Sequence, residues 1–265
     1  VNEIVVGNCI DVMRGMDSNS VDLVFTSPPY YNAKPEYAKW NSYEEYLAFL
    51  TNTFRAVKFV LRCGCPFVLN VSCVIEPRLS RQYESVRYPI PFDCVQTLKD
   101  IGMTFIDDII WQKPDGASNR ARTFANIRRP VSYKPFTVTE YLLVFRDSSS
   151  GLIDDVIRRH TEQQISDSLV EDGYERTNVW AISPTHNDLH PAPFPLELAT
   201  KVIQYYSFKD DVVFDPFIGS GTTAIAADRL GRNFYGCDIS SEYVELAQKR
   251  LAEDRLKRSQ IAMGI

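Results

Sequence analysis

The stretch from Val212 to Cys237 constrains the fold more than any other part of the chain. Val212-Val213-Phe214 is an apolar run suited to a buried strand, and Asp215-Pro216-Phe217-Ile218-Gly219-Ser220-Gly221 follows it directly. Thr222 to Leu230 then has a helical pattern closed by Gly231, and Asn233 to Cys237 returns to a strand. A strand, a glycine-rich turn, a helix and a second strand form the repeating unit of an open, mainly parallel α/β sheet, which binds ligands where strands end and helices begin. The glycines let backbone approach a ligand closely, and the free amides at the helix start favour a negative group such as a carboxylate. The loop lacks the Gly-Lys-Ser/Thr ending of a nucleotide-phosphate loop. The second strand ends in Gly236-Cys237-Asp238, about 20 residues further on, which sets a carboxylate where it takes both hydroxyls of a ribose. An adenosine-bearing cofactor is therefore expected. The competing reading of the same residues is a helix-capping turn beside a surface Asp.

The rest of the chain repeats the alternation. Glu3-Ile4-Val5-Val6 reads as a strand ended by Gly7, and Val21 to Phe25 as a second. Ser42 and Glu45 have the capping-box spacing, and Leu47, Leu50, Phe54, Val57 and Leu61 recur at helical intervals until Gly64. Strands are expected at Pro66 to Val71, near Thr104 to Trp111, and at Tyr141 to Phe145; a helix is expected near Ile153 to Arg159. Pro195 opens a helix through Tyr206, and a long amphipathic helix begins at Ser241. Ser148 to Asn178 is polar and weakly patterned, as an insertion would be.

With 265 residues and 45% hydrophobic content there is material for one sizeable core. No window approaches the ~20 consecutive apolar residues of a membrane span, and the first residues lack a signal-peptide pattern, so the expectation is a soluble cytoplasmic protein, nucleoid-associated, with no membrane partner. Cys9, Cys63, Cys65, Cys73, Cys94 and Cys237 have no zinc-ligand spacing, and no metal is expected. The net charge is −5, but Ala117 to Thr139 contains no Asp or Glu while holding Arg120, Arg122, Arg128, Arg129 and Lys134. Phe124, Tyr133 and Phe136 are interleaved with them. A solvated loop has this composition too, yet guanidinium groups beside rings favour nucleic acid, where charge holds phosphates and rings pack on sugars or bases. Lys113 in Trp111-Gln112-Lys113 joins this set as a phosphate or base contact.

Thr26-Ser27-Pro28-Pro29-Tyr30 follows a buried strand, and its two prolines fix the direction of the Pro28 carbonyl. Together with the Asp215 to Thr223 loop and His190-Pro191-Ala192-Pro193-Phe194-Pro195, this strip closely resembles the amino-directed DNA methyltransferases of bacteria and phages. The strip near the amino terminus and the cofactor loop near the carboxyl terminus resemble the permuted beta group of that family. The resemblance spans almost the whole chain, failing mainly between Ser148 and Asn178.

The resemblance implies an α/β fold with a seven-stranded, mostly parallel, Rossmann-like methyltransferase sheet, one strand antiparallel, and the strand near Val5 paired with the one ending at Cys237. It implies one catalytic domain over residues 1–265, with target-recognition elements within 115–180 drawn from Ala117 to Ser132 and Ser148 to Asn178. S-adenosylmethionine is the implied cofactor, held by Asn8, Cys9, Ile10, His190, Phe194, Asp215, Phe217, Gly219, Ser220, Gly221, Thr222, Asp238 and Ile239. Relatives commonly carry Asp where this chain has Asn8.

Ser27, Pro28, Pro29 and Tyr30 are the implied catalytic residues. An exocyclic amine is a poor nucleophile, its lone pair delocalised into the ring, so acceptors such as Ser27 Oγ and the Pro28 carbonyl would draw it towards a tetrahedral state while Tyr30 stacks on a flipped base. In this family a Ser-Pro-Pro strip tends to accompany cytosine N4 and Asp-Pro-Pro adenine N6. The expected activity is thus sequence-specific methylation of cytosine N4 in double-stranded DNA by base flipping and direct in-line transfer. Adenine N6, a catalytically silent DNA-binding module, and RNA or protein methylation on the same fold stay open, as do a homodimer and a companion restriction enzyme. Cytosine C5 chemistry needs a thiolate, usually in a Pro-Cys dipeptide, which the chain lacks.

Overall fold

The computed structural model describes residues 2–32, 39–76, 80, 82–114, 135, 137–147, 152–170, 173–184 and 194–263. The amino-terminal half runs β1 (Glu3–Val6), α1 (Cys9–Arg14), β2 (Leu23–Thr26), α2 (Tyr43–Val60) and β3 (Pro66–Val71). A small hairpin, β4 (Val74–Glu76) and β5 (Val86–Tyr88), precedes α3 (Ile90–Asp100), β6 (Thr104–Gln112) and β7 (Thr139–Arg146). Then come α4 (Ile153–Ile157), α5 (Glu162–Asp167), β8 (Val179–Ala181) and α6 (Leu196–Tyr206). The chain continues through β9 (Val212–Asp215), α7 (Thr222–Arg229), β10 (Asn233–Asp238) and α8 (Ser241–Met263).

The main sheet has the order β1-β10-β9-β2-β3-β7-β6-β8. β1, β10, β9, β2 and β3 are mutually parallel; β7 runs antiparallel to both neighbours, and β8 is parallel to β6. Val5 stands opposite Cys237, the pairing expected at that edge. All seven expected strands are present. An eighth is added by β8, a three-residue strand at the end of the polar segment, where Trp180 buries itself beside Trp111 on β6. Central strands are buried on both faces, which is why β2 reads as an unbroken Leu-Val-Phe-Thr. Alternate residues feed two cores. Val24, Phe67, Leu69 and Phe214 pack with α2 and α3 on one face, and Leu23, Phe25, Val68 and Val213 with α6 and α7 on the other.

Ser42 caps α2 by accepting from the Glu45 amide at 3.2 Å, as its spacing predicts. α3 was not among the expected elements, although Ile90, Cys94 and Leu98 recur at four-residue spacing and are fully buried. The described part of the weakly patterned segment is also more ordered than expected. His160 Nε2 lies 2.8 Å from Asp211 Oδ1, Arg159 Nη2 donates to the Cys63 carbonyl at 3.0 Å, and Gln164 Nε2 donates to the Lys209 carbonyl at 3.2 Å. These partners precede β3 and β9. Residues 152–168 therefore dock at the amino-terminal end of the sheet's central strands, opposite the carboxyl end of β2.

Candidate active site

Strand order switches direction between β9 and β2, because the chain builds outward from β9 to β10 on one side and from β2 to β3 on the other. Open α/β sheets bind ligands at such a point, beyond the carboxyl ends of the strands. The Ser27 to Tyr30 strip leaves β2 there, and the glycine loop leaves β9.

Asp215 fastens the two together. Its Oδ1 accepts from Thr26 Oγ1 at 2.6 Å and from the Phe217 amide at 3.0 Å, and its Oδ2 accepts from Thr223 Oγ1 at 2.6 Å. Desolvation raises this carboxyl to about 6 in spite of the three donors. The loop then turns through Gly219 (φ 47°) and Gly221 (φ 83°), both left-handed. At Gly221 an added Cβ would sit 2.8 Å from the Ala247 Cβ of α8, so only glycine admits this approach. Arg250, also on α8, donates to Ser220 Oγ at 2.7 Å and to the Ser220 carbonyl. Asp238, at the end of β10, accepts from the Gly219 amide at 3.1 Å and from the Ser240 amide at 2.9 Å. A carboxylate has about four lone-pair sites, more than these amides occupy. Burial raises this carboxyl above its ordinary value. A left-handed glycine turn against a helix start, with a two-oxygen acceptor beside it, is a donor and acceptor set that fits a cofactor carrying a carboxylate and a ribose.

Around the strip a polar cluster assembles from four strands. Ser27 Oγ donates to Tyr30 OH at 3.4 Å, and Tyr30 OH donates to Glu140 Oε2 at 2.9 Å. Asn70, at the end of β3, donates through Nδ2 to Glu140 Oε2 at 2.8 Å, to Ser27 Oγ at 3.3 Å and to Tyr30 OH at 3.4 Å. Its Oδ1 is buried without a hydrogen-bond partner among the described residues. Lys113 pairs with Glu140 Oε1 and lies 4.5 Å from the centre of the Trp111 ring. Burial, with the Glu140 carboxylate alongside, holds the Tyr30 phenol well above its usual range, so it stays a donor. Tyr31 is wedged against Tyr43 and Tyr88, with ring centroids at 5.2 Å and 4.7 Å, and anchors the far end of the strip. Cys65 lies at the amino end of β3, away from the strip, and burial lifts its thiol to about 12, which leaves it inert as a nucleophile.

The DNA methylase family profile matches residues 21–249. The chain belongs to this family of N6/N4 DNA methylases. The amino-directed, beta-group assignment made from the motifs is thereby borne out, and relatives agree with it. The type II beta methyltransferase M.BslI of a Bacillus species is 27% identical over 256 residues; the match covers 94% of this chain and 27% of that protein's length. The type II methyltransferase M1.MboII of Moraxella bovis is 28% identical over 271 residues, covering 93% of this chain and 95% of its own. Among solved structures, TTHA0409 of Thermus thermophilus, complexed with S-adenosyl-L-methionine, superposes with a TM-score of 0.77 at 29% identity, over 96% of this chain and 94% of that one. The cytosine-N4-specific PvuII DNA methyltransferase, at 18% identity and a TM-score of 0.70 over 99% of this chain and 93% of its own, shares the fold.

Within this methylase the expected site residues divide as follows. Ser27, Pro28, Pro29 and Tyr30 stand at the switch point with Asp215, Phe217, Gly219, Ser220, Gly221 and Thr222. The Gly7 amide donates to the Asp238 carbonyl at 2.9 Å, which brings Asn8, Cys9 and Ile10 beside Asp238. Asn8 Oδ1 caps α1 by accepting from the Ile10 amide at 3.0 Å. Cys9 is buried, and its thiol is pushed up to about 11 by desolvation. Ile239 is 72% exposed. The Phe194 ring packs 4.8 Å from Phe25. His190, Arg120, Arg122, Arg128, Arg129 and Lys134 lie outside the described residues.

Asn70, Glu140 and Arg250 were not expected. A polar residue one short of the end of an apolar strand marks Asn70, and one just inside the start of an apolar strand marks Glu140; both signals were present in the sequence. Arg250 is one of several basic residues on α8 and has no local signal.

Proposed function

We propose that the protein transfers a methyl group from S-adenosylmethionine to the N4 amino group of cytosine in duplex DNA. Asp238 and the loop from Gly219 to Thr222 would hold the cofactor, with Asn8, Cys9, Ile10, Phe194 and Phe217 at its margins. When bound, it supplies an electrophilic methyl on a sulfonium. Ser27 Oγ and the Pro28 carbonyl accept the two amino hydrogens, which turns the nitrogen lone pair out of the ring and towards that methyl. Tyr30, its hydroxyl tethered to Glu140, offers its ring to the flipped base. Direct displacement needs no enzyme nucleophile, and the strip holds no cysteine of the kind that C5 chemistry uses.

Recognition of the surrounding sequence is assigned to residues 115–134 and to the β8 segment. β8 leads along β6 to the strip side of the sheet, where the Trp111 indole donates to the Ile182 carbonyl at 2.8 Å. Residues 152–168, which dock at the amino-terminal end of the strands, are left out of this proposal. Membership among type II enzymes by likeness favours a cognate restriction enzyme as the functional companion.

The observation that carries the cytosine reading is Ser27 at the head of the strip, where the adenine-directed members of the family tend to carry Asp. A second reading, adenine N6, draws support from Glu140, which brings a carboxylate within hydrogen-bond reach of the strip by another route. Mass spectrometry of nucleosides from DNA treated with the enzyme and S-adenosylmethionine separates them. N4-methylcytosine is expected, and N6-methyladenine alone would refute the cytosine reading.

A further inference from the structure

Methyl transfer to a neutral amine leaves the nitrogen with one proton too many. A serine hydroxyl accepts a hydrogen bond well but is no resting place for a proton near neutral pH, so a strip headed by Ser27 needs an acceptor elsewhere. The hydrogen bonds of the site run in one direction. Ser27 Oγ donates to Tyr30 OH, and Tyr30 OH donates to Glu140 Oε2. We propose that Glu140 is the final acceptor of the proton released by methyl transfer, reached from the target amine through Ser27 and Tyr30. The proposal rests on the strip being the amine's binding site and applies to either base.

The step balances. The proton leaves the nitrogen for Ser27 Oγ, and the electron pair of the N–H bond stays on nitrogen. The serine proton passes to the tyrosine oxygen and the phenol proton to Glu140 Oε2. Ser27 and Tyr30 end as they began, and Glu140 ends as a neutral acid that later loses its proton to solvent. The positive charge that disappears from the sulfonium is matched by the negative charge that disappears from the carboxylate. The site's net charge is unchanged, which matters where the local dielectric is low.

The neighbours support the route. Asn70 Nδ2 contacts all three oxygens of the chain and so holds them together, but an amide nitrogen only donates and does not relay a proton. Lys113 occupies Glu140 Oε1, leaving Oε2 to Tyr30 and Asn70. The raised Tyr30 phenol passes its proton only in concert with receiving another, so no tyrosinate accumulates.

The test is single-turnover methyl transfer at saturating DNA and cofactor for wild type, Glu140→Gln, Glu140→Asp, Tyr30→Phe and the double variant of Glu140→Gln with Tyr30→Phe. Dissociation constants for DNA and for S-adenosylmethionine are measured separately. Each single substitution is expected to slow transfer about 10²-fold with both constants unchanged. The double variant should be no slower than the slower single one, and Glu140→Asp, which keeps a carboxylate at this position, should recover part of the rate lost in Glu140→Gln. Wild-type rates in Glu140→Gln, losses that multiply in the double variant, or a Glu140→Asp variant no faster than Glu140→Gln would overturn the relay. An enzyme whose product is N6-methyladenine would refute the cytosine reading while the same variants still decide the relay.

Discussion

Asp215 is wholly enclosed, with Thr26 on one side and the glycine loop on the other, and its carboxyl stands at about 6 against an ordinary 3.8. A carboxyl raised on folding stabilises the protein fully below its unfolded value, and that contribution is lost as pH rises through the folded one. The shift corresponds to about 3 kcal/mol. Urea unfolding of wild type and Asp215→Asn between pH 4 and pH 7 should therefore show the wild-type advantage shrinking by about that amount, mostly below pH 6. A constant difference across the window would mean that Asp215 ionises freely in the folded state. The hydrogen bonds that define the site, by contrast, join residues distant in sequence: Tyr30 and Glu140 are 110 apart, and Asn70 and Ser27 are 43 apart. Motif spacing finds Ser27 and Tyr30 because they are neighbours. It does not find Glu140, which reaches them only through the antiparallel pairing of β7 with β3.

At the scale of elements, the glycine loop works because α7 and α8 close on it. Gly221 caps α7 in a left-handed conformation with Ala247 directly against it. Gly221→Ala combines a left-handed alanine, costing about 1–2 kcal/mol, with a clash against an adjoining helix. The variant is expected to lose at least about 2 kcal/mol in urea unfolding and to bind S-adenosylmethionine more weakly. Unaltered stability would show that α8 yields at this position. Strongly patterned elements were legible in the sequence. β2 and β9 are apolar runs, and α2 has both a cap and a helical stripe. The short ones were not: β4, β5 and β8 have three residues each, too few for alternation to register. β8 exists because β6 offers it an edge and Trp180 a buried place, neither of which is a local property.

For the molecule as a whole, the net charge of −5 works against DNA unless positive charge is concentrated near the site. Sequence places that charge between Arg120 and Lys134, and the chain enters this stretch just after Lys113 at the end of β6. Replacing Arg128 and Arg129 by Ala should weaken binding to duplex DNA and reduce the slope of log K against log salt by about 0.9 for each phosphate that is no longer neutralised. An unchanged slope would return those arginines to ordinary solvated surface. Fold class was legible at this scale because strand and helix alternate along most of the chain, whereas the docking of residues 152–168 away from the strip depends on His160 meeting Asp211 across 51 residues. The strip, the glycine loop and Asp238 meet at the switch point of a DNA methylase, and the proposed target is the amino group of cytosine. Modified-base sequencing of DNA from a methylation-free host expressing the chain tests it most directly. N4-methylcytosine is expected at one position of a fixed short sequence, absent when the host expresses Ser27→Ala; 5-methylcytosine, N6-methyladenine alone, or no modified base would refute the proposed target.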